Sequence, residues 1–338
     1  MTPALERSMV RYCLLAVAAA LLLCGARPAL AQEVLKFNHT DAPSGSRDRA
    51  AQLFARKVAE YTLNKYRVLV FHSGQLGSDS KSVEQLQTGT PDFTVTATGN
   101  YAGINKSLNL TALPFLVENY EQGWQLYDES TWLKAQFDLL PAKGVRVLDT
   151  WEAGFRSFTT KTAFNTPTDA RGRKMRVYQN DMLRWVMESI GFKVVVTPLS
   201  EVYLAIQQGV VDGQENPIDT INSQRFYEVT PFVTLTRHIY SPLPLSVSEK
   251  TWKRFTPDDQ RAIKRAAHDA ALLSRIEVRN NEERLLAEMQ QKGAKVTRPD
   301  IAPFRKAVAV VYDKARAMYG LDVDLIFKDA DKVRRTVK

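Results

Sequence analysis

Beyond its first thirty residues the chain has no cysteine: Cys13 and Cys24 are the two in 338 residues. Downstream of them there is no thiol nucleophile, no disulfide and no cysteine metal ligand to consider. Histidine is scarce as well. His39, His72, His238 and His268 stand far apart and make no metal-ligand spacing, so no metal site is expected. A glycine-rich phosphate loop, a dinucleotide fingerprint, a Gly-x-Ser-x-Gly elbow and a His-Glu-x-x-His helix are all missing. No pair of acids is visibly placed for acid/base work. The expectation is a protein with no cofactor and no catalytic residues. An exported enzyme acting on carboxylates stays as a competing reading, because sites assemble in space. Past residue 24 no apolar run approaches the roughly 20 residues of a membrane-spanning helix. Repeats, low-complexity tracts and floppy linkers are absent too.

What is present begins with an address. Arg7 and Arg11 precede an apolar run from Tyr12 to Cys24, and Ala29-Leu30-Ala31 is a small-x-small cleavage site. That pattern is a secretory signal over residues 1–31, cleaved after Ala31, and the expected location is the periplasm. The leader carries Arg7, Arg11 and Arg27 against Glu6, which leaves +7 of the chain's +9 on the exported part. Such a surplus suits anionic small molecules or an acidic surface. No basic-aromatic interleaving points to nucleic acid.

The pattern of apolar residues predicts alternating strands and helices. Residues 33–40, 66–71 and 92–97 read as strands. Residues 47–61 read as an amphipathic helix, and a shorter helix is expected over 81–88. This is α/β architecture with a largely parallel sheet, in which ligands sit beyond the carboxyl ends of strands. His39, Thr40 and Asp79 fall at such ends. Further on, residues 121–139 are expected to form one helix and residues 145–150 a strand. A strand-like stretch over 232–247 contains Pro242 and Pro244, which mark an edge or crossing. Thr256-Pro257-Asp258-Asp259 is a strong helix start, and the helix it opens runs to about Lys292. At 1.5 Å per residue it is roughly 50 Å long, more than one domain is wide. A final helix is expected over 304–319.

Two apolar segments each enclose one arginine: Gly154-Phe155-Arg156-Ser157 and Lys174-Met175-Arg176-Val177. A guanidinium cannot shed its charge, and burying it unpaired is expensive. In the second segment Met175 and Val177 share a strand face, and Arg176 points the other way. Its planar fork suits a carboxylate. For one arginine a structural bridge to an acid is the commoner explanation; two so placed tilt the reading to a ligand site. Gln214-Glu215-Asn216-Pro217 follows, with Asn216 read as a helix N-cap and Pro217 as the first helical residue.

With these residues in hand, the chain resembles the DctP-type substrate-binding proteins of tripartite ATP-independent periplasmic (TRAP) transporters. The likeness is carried by Ser73-Gly74-Gln75-Leu76-Gly77, by the two arginine segments, by Ser200-Glu201-Val202-Tyr203 and by Val211-Asp212-Gly213-Gln214-Glu215-Asn216-Pro217. It continues through Phe226-Tyr227-Glu228-Val229 and Thr236-Arg237-His238-Ile239. The order and spacing of these segments are specific where each alone is weak. The resemblance implies a two-lobed periplasmic binding protein fold: mixed sheets flanked by helices, hinge-connected, with one long helix spanning both lobes. Lobe I is expected to be residues 32–153 plus 242–281, and lobe II residues 154–241 plus 282–338. It further implies a monomer that closes on a small organic acid and delivers it to TRAP membrane permease subunits. Arg176 would bridge the ligand carboxylate, assisted by Arg156 and Asn216. Gln179, Thr40, His39, Trp151, Glu152 and Asp79 are further candidates for the ligand wall. Trp151 is equally readable as hinge packing.

Sialic-acid-binding members carry glutamate and phenylalanine where this chain has Ala97 and Leu199. The polar wall suits a hydroxylated acid, a uronate or aldonate first, then an aromatic or keto acid, then a C4-dicarboxylate. An exported sensor that reports ligand to a signalling receptor remains an alternative role, as does a basic surface-binding protein.

Overall fold

The computed structural model describes residues 32–43 and 45–337, so the leader and both cysteines lie outside the described residues. The strands are β1 (Glu33–Asn38), β2 (Tyr66–Phe71), β3 (Phe93–Val95), β4 (Val145–Thr160), β5 (Lys174–Val177), β6 (Lys193–Val196), β7 (Gly213–Pro217), β8 (Phe232–Ser248) and β9 (Lys295–Thr297). The first helices are α1 (Ser46–Tyr61), α2 (Asp79–Leu86), α3 (Tyr120–Glu129), α4 (Thr131–Asp138) and α5 (Asp181–Ile190). They are followed by α6 (Val202–Gln207), α7 (Ile218–Ser223), α8 (Phe226–Val229) and α9 (Glu249–Trp252), then α10 (Pro257–Gln291), α11 (Ala302–Tyr319) and α12 (Leu321–Thr336).

The strands lie in the order β2-β1-β3-β8-β4-β7-β5-β6, with β9 also on β8. The sheet is mixed. β1–β3, β5–β6 and β5–β7 are parallel, while β3–β8, β4–β8 and β4–β7 are antiparallel. The expectation of a largely parallel sheet therefore holds at the flanks and where β9 pairs with β8. Two long antiparallel strands form the middle. β4 runs without a break from Val145 to Thr160, where two separate segments were expected. From Thr150 on it is buried throughout, so the apolar/polar alternation that marks a half-exposed strand is missing. Gly154 sits inside a register shift at φ +105°, and a Cβ there would lie 3.1 Å from Tyr120 Oη. The bulge thus needs glycine both for its backbone and for its packing.

Pro242 and Pro244 lie in β8, a central strand, so of the two expectations, edge or crossing, the edge does not hold. A strand residue's N–H and C=O leave on the same side. The Pro244 carbonyl accepts from Thr96 N and Tyr101 Oη, and the Pro242 carbonyl from Thr98 Oγ1. The missing N–H groups therefore face the stretch where β3 has ended, and the ladder to β4 is untouched.

The helix expected over 121–139 is two, because Ser130 leaves the helical region (ψ 121°) and its hydroxyl accepts from Leu133 N to cap α4. Gly320 (φ 55°, ψ −130°) likewise separates α11 from α12, a second C-terminal helix that periodicity did not reveal. The helix start at Thr256 forms as read, with Thr256 and Asp259 closing a capping box, and α10 extends over 35 residues. Its buried side chains enter three cores in turn. Ile263 and Ala270 pack with Phe54 and Trp151, Val278 with Phe155 and Tyr240, and Leu286 and Met289 with Ile218 and Phe226. One rigid rod therefore links all three clusters, each large buried aliphatic or aromatic side chain adding about 1.5–3 kcal/mol of transfer free energy.

Candidate functional site

The cores leave a small cavity where β4, β5, β7 and β8 meet the first turns of α1 and α2. Arg176 enters it from β5. Met175 and Val177, its neighbours, are fully buried in the central core, so the strand turns Arg176 the other way, as alternation required. Arg176 is 1% exposed. Its Nε donates to the Thr197 carbonyl at 2.7 Å, and among the described residues it makes no ion pair. Burial therefore pushes its pKa down to about 10, only partly opposed by the more distant charge of Glu215. Arg176 remains a cation, held in a dry place with its two terminal nitrogens uncommitted.

Arg156 lines the same cavity but is differently employed. Its Nε donates to Glu215 Oε2 at 2.5 Å, and its Nη2 to Glu215 Oε1 at 2.7 Å and to Asn216 Oδ1 at 3.0 Å. Burial works against its charge, but Glu215 outweighs that and holds the pKa above the ordinary arginine value. Glu215 is correspondingly held below the usual carboxylate range: burial opposes its charge, and Arg156 more than compensates. His238 Nε2 lies 3.4 Å from Glu215 Oε2, and desolvation lowers its pKa, so it stays neutral beside Arg156. Nη1 of Arg156 keeps one long contact, 3.4 Å to Ser241 Oγ. Tyr178, whose ring lies 5.4 Å from the Arg156 guanidinium, has its hydroxyl pushed up to about 12 by burial and stays protonated.

Asn216 is in the cavity wall, but not as a helix cap. It belongs to β7, opposite Ser157, and α7 starts at Ile218 after Pro217 with no side-chain cap. Pairing of β7 with both β4 and β5 overrides the local Asn-Pro preference. The Asn216 amide donates to Gln214 Oε1 at 2.5 Å, which leaves its oxygen turned to Arg156.

Of the other expected residues, Asp79 lines the cavity at the start of α2. Thr40 stands behind it, donating to Asp79 Oδ2 at 2.8 Å. Gln179 is exposed and borders the adjoining vestibule rather than the cavity. Three expectations require correction. His39 is fully buried with Nε2 3.2 Å from Asp48 Oδ1 and packs edge-on to Phe37, away from the cavity. Trp151 lies in the core 5.9 Å from Phe37, its indole N–H 3.4 Å from the Ala267 carbonyl, so the packing reading wins. Glu152 accepts from Trp124 Nε1, Tyr240 Oη and Gly154 N, and burial pushes it up to about 7. Neighbours in β4, these two side chains leave on opposite sides of the strand, and each is taken up by protein partners, which no local pattern announces. Sequence reasoning in turn missed Arg47, Tyr178, Asn100 and Ser241, which all line the cavity. A lone arginine on an amphipathic helix gave no signal. Ala97 and Leu199, noted for what they replace, do line it.

The rim is tied on two sides. Asn180 caps α5 and donates to the Gly99 carbonyl at 3.1 Å and to Asn109 Oδ1 at 2.8 Å. On the other side the Ser46 hydroxyl donates to Asp219 Oδ2 at 2.7 Å and the Ser223 hydroxyl to Asp41 Oδ1 at 2.8 Å. Burial, and then the charge of Asp41, push Asp219 up to about 6.

A buried cationic fork in a cavity tied shut at its rim is the arrangement of a binding protein for small anions. The chain belongs to the DctP family, bacterial extracellular solute-binding protein family 7, whose model matches residues 37–318. A sugar acid binding protein from Advenella mimigardefordensis, solved with galactonate, superimposes with a TM-score of 0.86 at 29% identity, over 89% of this chain and 99% of that one. A TRAP periplasmic solute binding protein from a Sulfitobacter species, solved with β-D-galacturonate, gives 0.85 at 30% identity over 88% and 100%. The Sinorhizobium fredii protein y4mM is 33% identical over 90% of this chain, which spans 56% of that protein's length. Among the described residues no helix is long and apolar enough to cross a membrane.

Proposed function

We propose that this protein is a periplasmic receptor of a TRAP transporter that captures a sugar acid, of aldonate or uronate type, and presents it to the membrane permease subunits without chemical conversion. The observation that carries the reading is Arg176: a fully buried guanidinium with no acid partner among the described residues, at the wall of a cavity. A buried charge needs a counter-charge, and a ligand carboxylate supplies one bidentately. Arg156, pinned by Glu215, supplies its remaining Nη1 and keeps Asn216 in place. Lobe I (residues 32–153 plus 242–281) and lobe II (residues 154–241 plus 282–338) both contribute wall residues, and closing them over the ligand makes the rim hydrogen bonds. The ligands of the Advenella and Sulfitobacter proteins, galactonate and galacturonate, support the ligand class. The test is a thermal-shift and calorimetric screen of the purified monomer against aldonates, uronates, keto acids, aromatic acids and dicarboxylates. The reading expects stabilisation by a sugar acid, lost in Arg176→Ala, with the acid recovered intact. Conversion of the acid, or binding untouched by Arg176→Ala, overturns it.

A further inference from the structure

The cavity has a second pole that a carboxylate grip leaves unused. Arg47 reaches it from the first turn of α1 and is 6% exposed. Its Nη1 donates to Thr40 Oγ1 at 3.2 Å, while its Nε is buried with no hydrogen-bond partner among the described residues. Asp79 accepts from Thr40 at Oδ2, but its Oδ1 is buried and equally without a hydrogen-bond partner, 3.6 Å from Arg47 Nη1. That separation is too long for a hydrogen bond. Thr40 holds the two side chains together. The result is one unused donor and one unused acceptor on the wall that also carries Arg176.

A group that satisfies both must accept one hydrogen and donate another, which is what a hydroxyl does. A second carboxylate would satisfy Arg47 and repel Asp79. A methylene would satisfy neither, and leaving such groups buried is costly. The charges point the same way. Arg47, Arg156 and Arg176 face Asp79 and Glu215, with His238 neutral, so one positive charge is uncompensated. One carboxylate closes that balance, and a dianion overshoots it.

Resting on the carboxylate reading of the cavity, we propose that Arg47 and Asp79 select a ligand hydroxyl and restrict the site to polyhydroxylated monoanions. The experiment measures D-galactonate, hexanoate and succinate by calorimetry on the wild type, Asp79→Asn, Arg47→Gln and Arg176→Met. Wild type is expected to favour galactonate over both other acids by at least about 100-fold. Asp79→Asn and Arg47→Gln are each expected to cut that preference roughly 10- to 100-fold, while Arg176→Met weakens binding of all three roughly 30-fold or more. Arg47→Lys serves as the second variant at this pole should Arg47→Gln fold poorly, since it keeps the charge and removes the Nε donor. Succinate bound as tightly as galactonate overturns the proposal and leaves the Arg176 reading standing. So does an unchanged preference in both variants. Failure of every acid to bind the wild type overturns the carboxylate site and this pole with it.

Discussion

Arg176→Met separates a ligand grip from a structural arginine. Among the described residues the guanidinium has one hydrogen bond, to the Thr197 carbonyl, and no acid partner. Burial takes its pKa from 12.5 to about 10. At 1.36 kcal/mol per pKa unit, holding the charge there costs about 3 kcal/mol. Methionine removes that cost, fills most of the volume and leaves one carbonyl unpaired, which costs about 1–2 kcal/mol. The ligand-free variant should therefore be no less stable than wild type, its Tm unchanged or a few degrees higher. Affinity for the carboxylate should fall by about 2–5 kcal/mol, roughly 30-fold or more, because a charge-assisted bidentate contact is lost. The assay is differential scanning calorimetry of both proteins with and without a binding sugar acid. A ligand-free Tm lowered by 5 °C or more, in a protein that still binds, would refute the reasoning: Arg176 would then be paired with protein and not with ligand.

Glu215→Gln should do the opposite, lowering stability by about 3–5 kcal/mol, because Arg156 loses the counter-charge that justifies its burial; a urea titration with the m-value unchanged checks it. Glu215's folded pKa is depressed, so its contribution is complete above the ordinary glutamate value and fades as pH falls through the folded one. Asp219 has a raised folded pKa from burial and the nearby charge of Asp41, so the packed rim is favoured with Asp219 protonated and loses that advantage as pH rises from about 4 towards 6. Ligand affinity should therefore fall across that window, and Asp219→Asn should flatten the profile; Asp41, with Arg49 and its partner Glu277, are the charged groups around it. Gly99→Ala would place a Cβ 2.6 Å from both Asn180 Nδ2 and Tyr178 Oη. Closure over the ligand should suffer, with affinity down tenfold or more and the ligand-free Tm little changed; equal affinity would show that the rim is not packed this way around ligand.

Local chemistry alone determined a good deal. The helix start at Thr256 and the alternation around Arg176 each follow from interactions within a few residues, and each forms as read. The burial of two arginines in apolar company raised the ligand site, and the residues that carry the family resemblance placed it among known folds. What the tertiary structure decided was where long-range pairing overrules local preference. Asn216 is a strand residue because β4 claims its backbone, and Trp151 is core because Phe37 and the buried face of α10 pack around its ring. Arg156 and Arg176 looked alike in sequence, yet one found Glu215 and the other found no acid. That difference depends on which side chains 59 residues apart come within hydrogen-bond reach, and hydrophobic periodicity carries no record of it.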